Sequence, residues 1–472
     1  MQNHSRQNPD SFTGTLNDDD FIVISRNGGE EKMNLSGPMD RIHDDILLLC
    51  FESVIQIWEH ASGGGRDDPH AAVTISHVSR YWRQLALSTP SLWTHVCITP
   101  NKTSDVDFFR DFLSRSGSMD ISVYFRHCDS SYMYNSLSAG FMDPDFPAVS
   151  YYSDDEDHES EPYDDYDYEP VIEALLTASH RIVVMSIQSS ENIVRELLSH
   201  PSTTPSLSAC SQLFRALTAI TITNPLGAEP LDYDQFQALL KSSPNLRHLT
   251  VDVLAIASPY NLGISEIPTL EHLSFTCPLN DHWTFFAHLS VPNICQITLS
   301  NLRHIQPTDM RNVFLEKNGC ARFPKVVALT LENFHSQRND VAKLFPSAFP
   351  NITSLTIDVS SLASLAFGHY REDASGILEI ISNASDKTWI MPTWPYMQHL
   401  TLDYRVIHWA PYLSVVYCWL EWRQSEAKCS LRIYIMGVTA ARSKVGDAVF
   451  STHLRKLQQY GKLENIDILD ME

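Results

Sequence analysis

The ten residues SPNLRHLTVD, at positions 243–252, are one version of a phrase that occurs six times in the C-terminal half of the chain. The other five versions, at 267–276, 291–300, 323–332, 349–358 and 394–403, are IPTLEHLSFT, VPNICQITLS, FPKVVALTLE, FPNITSLTID and WPYMQHLTLD. Two proline-free relatives, RIVVMSI at 181–187 and ALTAITI at 216–222, keep the same apolar spacing and bring the total to about eight units. Because the prolines lie 24 to 45 residues apart, we expect each copy to be one supersecondary unit that stacks on the next.

Each unit has the pattern of a short strand followed by a helix. Proline fits the start of a strand, where no ladder hydrogen bond is needed, and the apolar residues five and seven positions later, such as Leu249 and Val251, share one face. Helical patterns such as YDQFQALLKSS at 233–243 lie between copies, so the strands must pair in parallel through right-handed crossovers. The sequence therefore predicts an α/β fold, a curved leucine-rich-repeat-like solenoid with a parallel sheet and, given the uneven spacing, irregular helices and loops.

Two columns of side chains are predicted on the other face of this sheet. Six positions after each proline stands a Ser or Thr, and eight positions after it stands Asp, Glu, Thr or Ser. The candidate target-binding residues are Thr250, Asp252, Thr330, Glu332, Thr356, Asp358, Thr401 and Asp403. Polar β-branched residues suit any exposed strand face, so the threonines alone do not require a ligand. The acidic column favours a protein target with a basic surface, since charge of one sign attracts the other.

A helical zone precedes the repeats. In residues 40–60, Leu47, Phe51 and Val54 fall on one helical stripe, and Ile46 and Leu49 add apolar surface elsewhere around the axis. A second stripe runs through residues 70–86, and Pro90 ends it. About 50 residues in two helices are too few to bury this surface alone. We expect either the repeats or another chain to cover it.

Charged and polar segments flank this zone. Residues 1–37 are polar and are expected to be disordered. Residues 141–170 are strongly acidic and contain no Lys or Arg, which predicts an extended insertion. Within it, Ser153 precedes Asp154, Asp155 and Glu156 and is a candidate for acid-directed phosphorylation.

The overall composition excludes several classes of function. A net charge of −23 disfavours nucleic acid as a partner, because binding to phosphates requires Lys and Arg. No apolar run approaches the roughly 20 residues of a membrane span, so we expect no membrane partner and a cytoplasmic or nuclear location. Nine scattered cysteines without a CxxC pair argue against both a disulfide framework and a zinc knuckle.

Catalytic motifs are also missing from the sequence. There is no GxSxG, HExxH or GxxxxGK[ST] motif, and GGG at 63–65 lacks the lysine of a phosphate loop. His248, His272 and His399 recur at one position of the repeat and are interpreted as strand-face residues. We therefore expect neither an enzyme nor a cofactor or metal site.

The helical zone resembles the F-box of fungal proteins. VSRYWRQLALSTPSLW, residues 78–93, matches the second half of that pattern, V-S-[RK]-x-W-R-x-L-A-x-x-x-P-x-L-W. IHDDILLLCF, residues 42–51, is similar to its first half, L-P-x-E-I-L-x-x-I-F, with His43 in place of the proline. The resemblance extends more diffusely through residues 112–125 into the irregular repeats, so it covers most of the chain beyond residue 38.

The resemblance implies a function without catalysis by this chain. F-box proteins insert apolar helices into a Skp-family adaptor, which is bound to the cullin scaffold of a cullin-RING ubiquitin ligase. In such proteins a repeat domain binds the target protein. Carried over by position, the adaptor-binding residues would be Ile42, Ile46, Leu47, Phe51, Val78, Trp82, Leu92 and Trp93, with some of them belonging to the core of the module. The alternative is a leucine-rich-repeat scaffold whose helices cap the solenoid and recruit no ligase.

These interpretations divide the chain into five segments. They are a disordered N-terminus at 1–37, an F-box at 38–100, a linker with the first elements of the repeat domain at 101–140, the acidic insertion at 141–170, and irregular leucine-rich repeats at 171–472.

Overall fold

The computed structural model describes only part of the chain. The described residues are 42–61, 71–98, 104–126, 169–188, 197, 214–223, 232–252, 265–276, 288–300, 307–316, 318–332, 344–345, 347–358, 396–403, 432–436, 455 and 467–471. The predicted disordered N-terminus and the acidic insertion up to residue 168, with Ser153, lie outside these ranges. The chain divides into two compact units, Met1–Leu49 and Cys50–Glu472.

Seven α-helices are present in the described ranges, and two 3-10 turns, Pro90–Trp93 and Ser179–Arg181, follow the third and the fifth of them. They are α1 (Asp44–Ala61), α2 (Ala71–Ser76), α3 (Arg80–Leu87), α4 (Ser104–Arg115), α5 (Glu169–Ala178), α6 (Tyr233–Ser242) and α7 (Pro307–Phe314). Capping explains two of the starts: Ser79 Oγ accepts the Trp82 amide at 3.1 Å, and Asp232 Oδ1 accepts the Asp234 amide at 2.9 Å. Among these helices, none combines the length and apolar content that a bilayer span needs.

The strands form one parallel sheet of twelve and a separate pair. In chain order the strands are β1 (His95–Ile98), β2 (Ile121–Arg126), β3 (Ile182–Gln188), β4 (Ala219–Ile222), β5 (His248–Asp252), β6 (Ser265–Glu266), β7 (His272–Thr276), β8 (Leu289–Ser290), β9 (Gln296–Ser300), β10 (Ala328–Glu332), β11 (Ser354–Asp358), β12 (His399–Asp403), β13 (Arg432–Met436) and β14 (Asp467–Met471). The large sheet contains all but β6 and β8, which pair with each other, and its strands follow one another in chain order. The predicted mixed α/β class with a parallel sheet is confirmed.

The repeated phrase sets the register of this sheet. Equivalent residues of successive copies face each other without a shift, so that Leu249 pairs with Leu273, Leu273 with Ile297, and Leu329 with Leu355. Residues five and seven positions after the proline are buried wherever their side chains are described. A one-residue slip would turn this apolar set to the other face, so burial holds the register in place.

In the copies at 243–252, 267–276, 291–300 and 323–332, the proline lies in a β-turn that leads into the strand. In the first copy the Leu246 amide donates to the Ser243 carbonyl at 3.1 Å, and Val291–Ile294 and Phe323–Val326 form the same bond at 3.2 Å. Proline is therefore the second residue of the turn, where its fixed φ is favourable. The next residue reaches back one copy: Asn293 Nδ2 donates to the Pro268 carbonyl at 2.7 Å, and Asn351 Nδ2 to the Pro324 carbonyl at 2.8 Å.

The sheet extends beyond the eight strands expected from the repeats. At the start, β1 lies within the segment 38–100 assigned to the F-box, and β2 lies within 101–140, which is assigned to a linker with the first elements of the repeat domain. At the end, β13 and β14 have no proline phrase before them, so the repeat pattern does not mark them. Tertiary pairing extends the sheet over these segments, because each adds a parallel partner to an edge that would otherwise lack hydrogen bonds.

Candidate functional site

The first turns of α1 combine one buried side chain with two exposed ones. Leu47 is 2% exposed, whereas Ile46 and Leu49 are 54% and 63% exposed. Ile46 and Leu49 are three residues apart in the helix and therefore lie on neighbouring positions of its surface. Large apolar side chains with this much exposure are unusual when they occur close together in a folded chain.

A small aromatic core holds the helices of the second unit together. The rings of Phe51 and Trp82 lie 4.8 Å apart with their planes tilted by 59°. Ser91 Oγ donates to Glu52 Oε1 at 3.1 Å, so the 3-10 turn is also tied to this part of α1. Phe51 is buried, but Trp82 is only half-buried. The Trp82 ring thus packs on one side and remains partly open on the other.

Apolar side chains are exposed on these helices as well. Val54, Val78, Tyr81 and Leu87 are 39%, 58%, 36% and 45% exposed. They make up four of the nine exposed large apolar side chains among the described residues, although they come from a stretch of 34 residues. We call these four residues the exposed apolar set. Such a concentration is typical of a protein interaction surface.

The structure divides the eight predicted adaptor-binding residues by burial. Ile46 and Val78 are exposed, and Ile42 and Trp82 are half-buried. Leu47, Phe51, Leu92 and Trp93 are at most 2% exposed, which places them in the interior, the role foreseen for some of the eight. Leu49, Val54, Tyr81 and Leu87 were not among the predicted residues. Leu49, Tyr81 and Leu87 are apolar residues away from the main helical stripes, whereas Val54 lies on the stripe of α1 and is exposed nevertheless.

The polar face of the sheet carries a continuous row of hydroxyl-bearing residues. The predicted alignment of the Ser/Thr column is confirmed by the strand register, and it is longer than the six proline copies. The row runs in register over ten neighbouring strands through Tyr124, Ser186, Thr221, Thr250, Ser274, Thr298, Thr330, Thr356, Thr401 and Tyr434. The side chains from Thr221 to Thr401 are half-buried, so neighbouring residues cover part of each one.

The acidic column lies two residues further along the same strands. Asp252 and Glu332 are half-buried, and Ser300 Oγ donates to Glu332 Oε2 at 2.6 Å. Asp358 and Asp403 occupy the same register on β11 and β12. Thr276 and Ser300 stand between Asp252 and Glu332, so the acidic residues form one group on β10–β12 and a separate residue on β5. By register, most acidic residues of this column therefore belong to the later strands.

Two histidines of the repeat stack on each other at the start of neighbouring strands. The rings of His248 and His272 lie 4.4 Å apart and are nearly parallel, at 22°. Burial lowers the pKa of His248 below its usual 6.5, and the nearby His272 and Arg247 lower it further against the opposing effect of Glu271. Within the described ranges, no three His, Cys, Asp or Glu side chains are grouped so as to hold a metal ion.

Comparisons with known proteins give no relative for this chain. No protein-family model matches it, and no curated protein is significantly similar to it.

Proposed function

We propose that this chain is the substrate-recognition subunit of an SCF-type cullin-RING ubiquitin ligase. In this proposal the segment 38–100 is an F-box that docks on a Skp-family adaptor. The parallel sheet belongs to a leucine-rich-repeat-like solenoid that holds the target protein. The observation that carries the proposal is the exposed apolar set, because four exposed apolar side chains within 34 residues have a physical reason if another protein covers them.

The proposed mechanism is positional and assigns no chemical step to this chain. A receptor that binds adaptor and target together raises the effective concentration of target lysines near the ubiquitin-conjugating enzyme. The hydroxyl row and the acidic group of β10–β12 are the proposed target surface, and their charge suits a basic protein. A ligase subunit of this kind would act in the cytoplasm or nucleus.

Co-purification with a Skp-family adaptor tests this function. We expect the wild-type chain to retain the adaptor, and Val78→Asp with Tyr81→Asp to reduce its retention at least about tenfold, since a carboxylate would be desolvated in an apolar interface. Met119→Asp and Val327→Asp are matched controls, because these two residues are 43% and 40% exposed and lie outside the exposed apolar set. If the wild type retains no adaptor, or if the double variant retains it as well as the two control variants do, the proposal is wrong.

The second candidate function is a protein-interaction scaffold without a ligase. The observation that favours it is that the helical segment leads directly into β1, the first strand of the sheet. Helices that cap a sheet would be joined to its first strand in this manner. A scaffold would bind its protein partners equally well with and without the adaptor-disrupting substitutions. Failure of the wild-type chain to bind any Skp-family adaptor would favour this function over the ligase.

A further inference from the structure

A buried tryptophan joins the helical segment to the sheet. Trp93 is completely buried, and its indole Nε1 donates to the Ala86 carbonyl in the last turn of α3 at 2.8 Å. Trp93 is followed at once by Thr94, whose carbonyl accepts the Ser122 amide of β2 at 2.8 Å, and by β1. Trp93 is thus hydrogen-bonded to α3 and precedes the first strand by two residues.

Helix α4 covers the other side of the same indole. Phe112 meets the Trp93 ring edge-on, at 5.0 Å between centroids and an interplanar angle of 72°. The Arg115 guanidinium carbon lies 4.4 Å from the centre of the ring, in cation–π geometry. We call Ala86, Trp93, Phe112 and Arg115 the Trp93 junction.

The contacts continue from the junction into the third strand. Arg181, just before β3, donates to the Leu113 carbonyl at 3.3 Å and to Ser116 Oγ at 2.6 Å, at the end of α4. It also donates to the Met119 carbonyl at 2.8 Å. The C-terminal end of α4 is therefore hydrogen-bonded to Arg181, just before β3, and the same helix packs on Trp93.

From these contacts we infer that Trp93 and Arg115 are positioning residues, which hold α3 and its exposed apolar side chains at a fixed orientation to the polar face of the sheet. The functional consequence rests on the proposed function: a partner bound to α3 would be kept at one distance and angle from a target bound to the sheet. Neither residue needs to touch either partner, since Trp93 is buried and Arg115 lies over its ring.

Two mild substitutions test the junction without removing its core. Trp93→Phe keeps an aromatic ring but loses the donor to Ala86, and Arg115→Met keeps the length of the side chain but loses the guanidinium. Arg110→Met is the matched control, because Arg110 lies on the same helix and its described ion pair is an exposed one with Asp107 at 3.6 Å. Spin labels carried by unnatural amino acids at Gln84 on α3 and Val327 beside β10 would report the distance between the two regions in the full chain.

We expect one narrow distance distribution for the wild type and for Arg110→Met. Arg115→Met and Trp93→Phe should widen it at least about twofold at a temperature well below unfolding, a change that loss of stability alone would not produce. Adaptor retention by these variants should stay within about twofold of wild type. An unchanged width in both variants would overturn the inference, whatever the adaptor does. If the wild type binds no adaptor while the widths change as expected, the proposed function fails and the positioning role stands.

Discussion

The helical segment and the repeat sheet differ in how completely they bury their apolar side chains. In the sheet, alternate residues such as Leu355 and Ile357 are at most 1% exposed, and the polar residues between them face outward. In the helices, buried Leu47 and Phe51 are accompanied by exposed Ile46 and Val78. A strand in a parallel array can bury one whole face, because each neighbour supplies the same surface. Three short helices have too few neighbours to do so, and the remaining apolar surface is available to another protein.

The largest effect is expected from a cavity in the sheet. Leu355→Ala should lower the free energy of unfolding by about 2–5 kcal/mol, because the side chain is completely buried between paired strands. Val78→Ala should change it by less than about 0.5 kcal/mol, because the side chain is 58% exposed. Urea titrations followed by circular dichroism would measure both. A comparable loss for Val78→Ala would show that this residue is a core residue of the folded chain.

A smaller effect is expected from the side chains that link successive turns. Asn293→Ala removes the hydrogen bond to the Pro268 carbonyl and should cost about 1 kcal/mol of unfolding free energy. Lys325→Met is the control, because it removes the contact of the Lys325 ammonium with Asn293 Oδ1 at 2.6 Å but leaves the bond to Pro268 intact. The Lys325 contact requires a long and flexible side chain to be held in place, which offsets most of its gain, so thermal unfolding of Lys325→Met should stay close to wild type. If the two variants were equally destabilised, the hydrogen bond from Asn293 to the Pro268 carbonyl would not be the source of the stability.

The smallest effect is expected from the stacked histidines. Since the pKa of His248 is lowered in the folded chain, first by burial and then by His272, its neutral form is favoured there. Its contribution to stability is therefore present above the unfolded pKa of about 6.5 and is lost as the pH falls through the lower folded value. Nuclear magnetic resonance titration of the His248 ring protons should show a pKa below 6.5, and His272→Gln should raise it part of the way back.

The control for this titration is His248→Gln, which identifies the resonance and should remove its share of the pH dependence of unfolding. A pKa of His248 that does not move in His272→Gln would show that the stacked neighbour has no electrostatic effect on it.

Most of the sheet could be predicted from the sequence because its rules are local. A two-residue alternation of apolar and polar residues locates eight strands, six of them after a proline, and their common pattern fixes the register. The outer strands could not be predicted in this way. β13 follows no proline phrase, and β1 follows helices in the chain, so each depends on a partner strand supplied by the tertiary structure.

The candidate adaptor surface was predicted less completely than the sheet. Helical periodicity identifies an apolar stripe, but it does not say which members of the stripe the chain covers itself. Leu92 and Trp93 fit the sequence pattern as well as Val78 does, yet they are buried and Val78 is exposed. Tyr81 and Leu87 lie off the main stripe and emerge as surface residues only when the neighbours of α3 are known.

The sequence by itself determined the positions of the eight repeat strands, the buried and polar faces of the repeats, and the alignment of the Ser/Thr column in the six proline copies, because residues two apart in a strand must point the same way. The tertiary structure alone decided which apolar residues of the helices are covered and how Trp93 links α3 to the first strands. The physical reason is that burial of a helical side chain depends on which residues pack against it. For Trp93 those residues are Phe112 and Arg115 of α4, a helix that lies outside the segment with the F-box-like pattern.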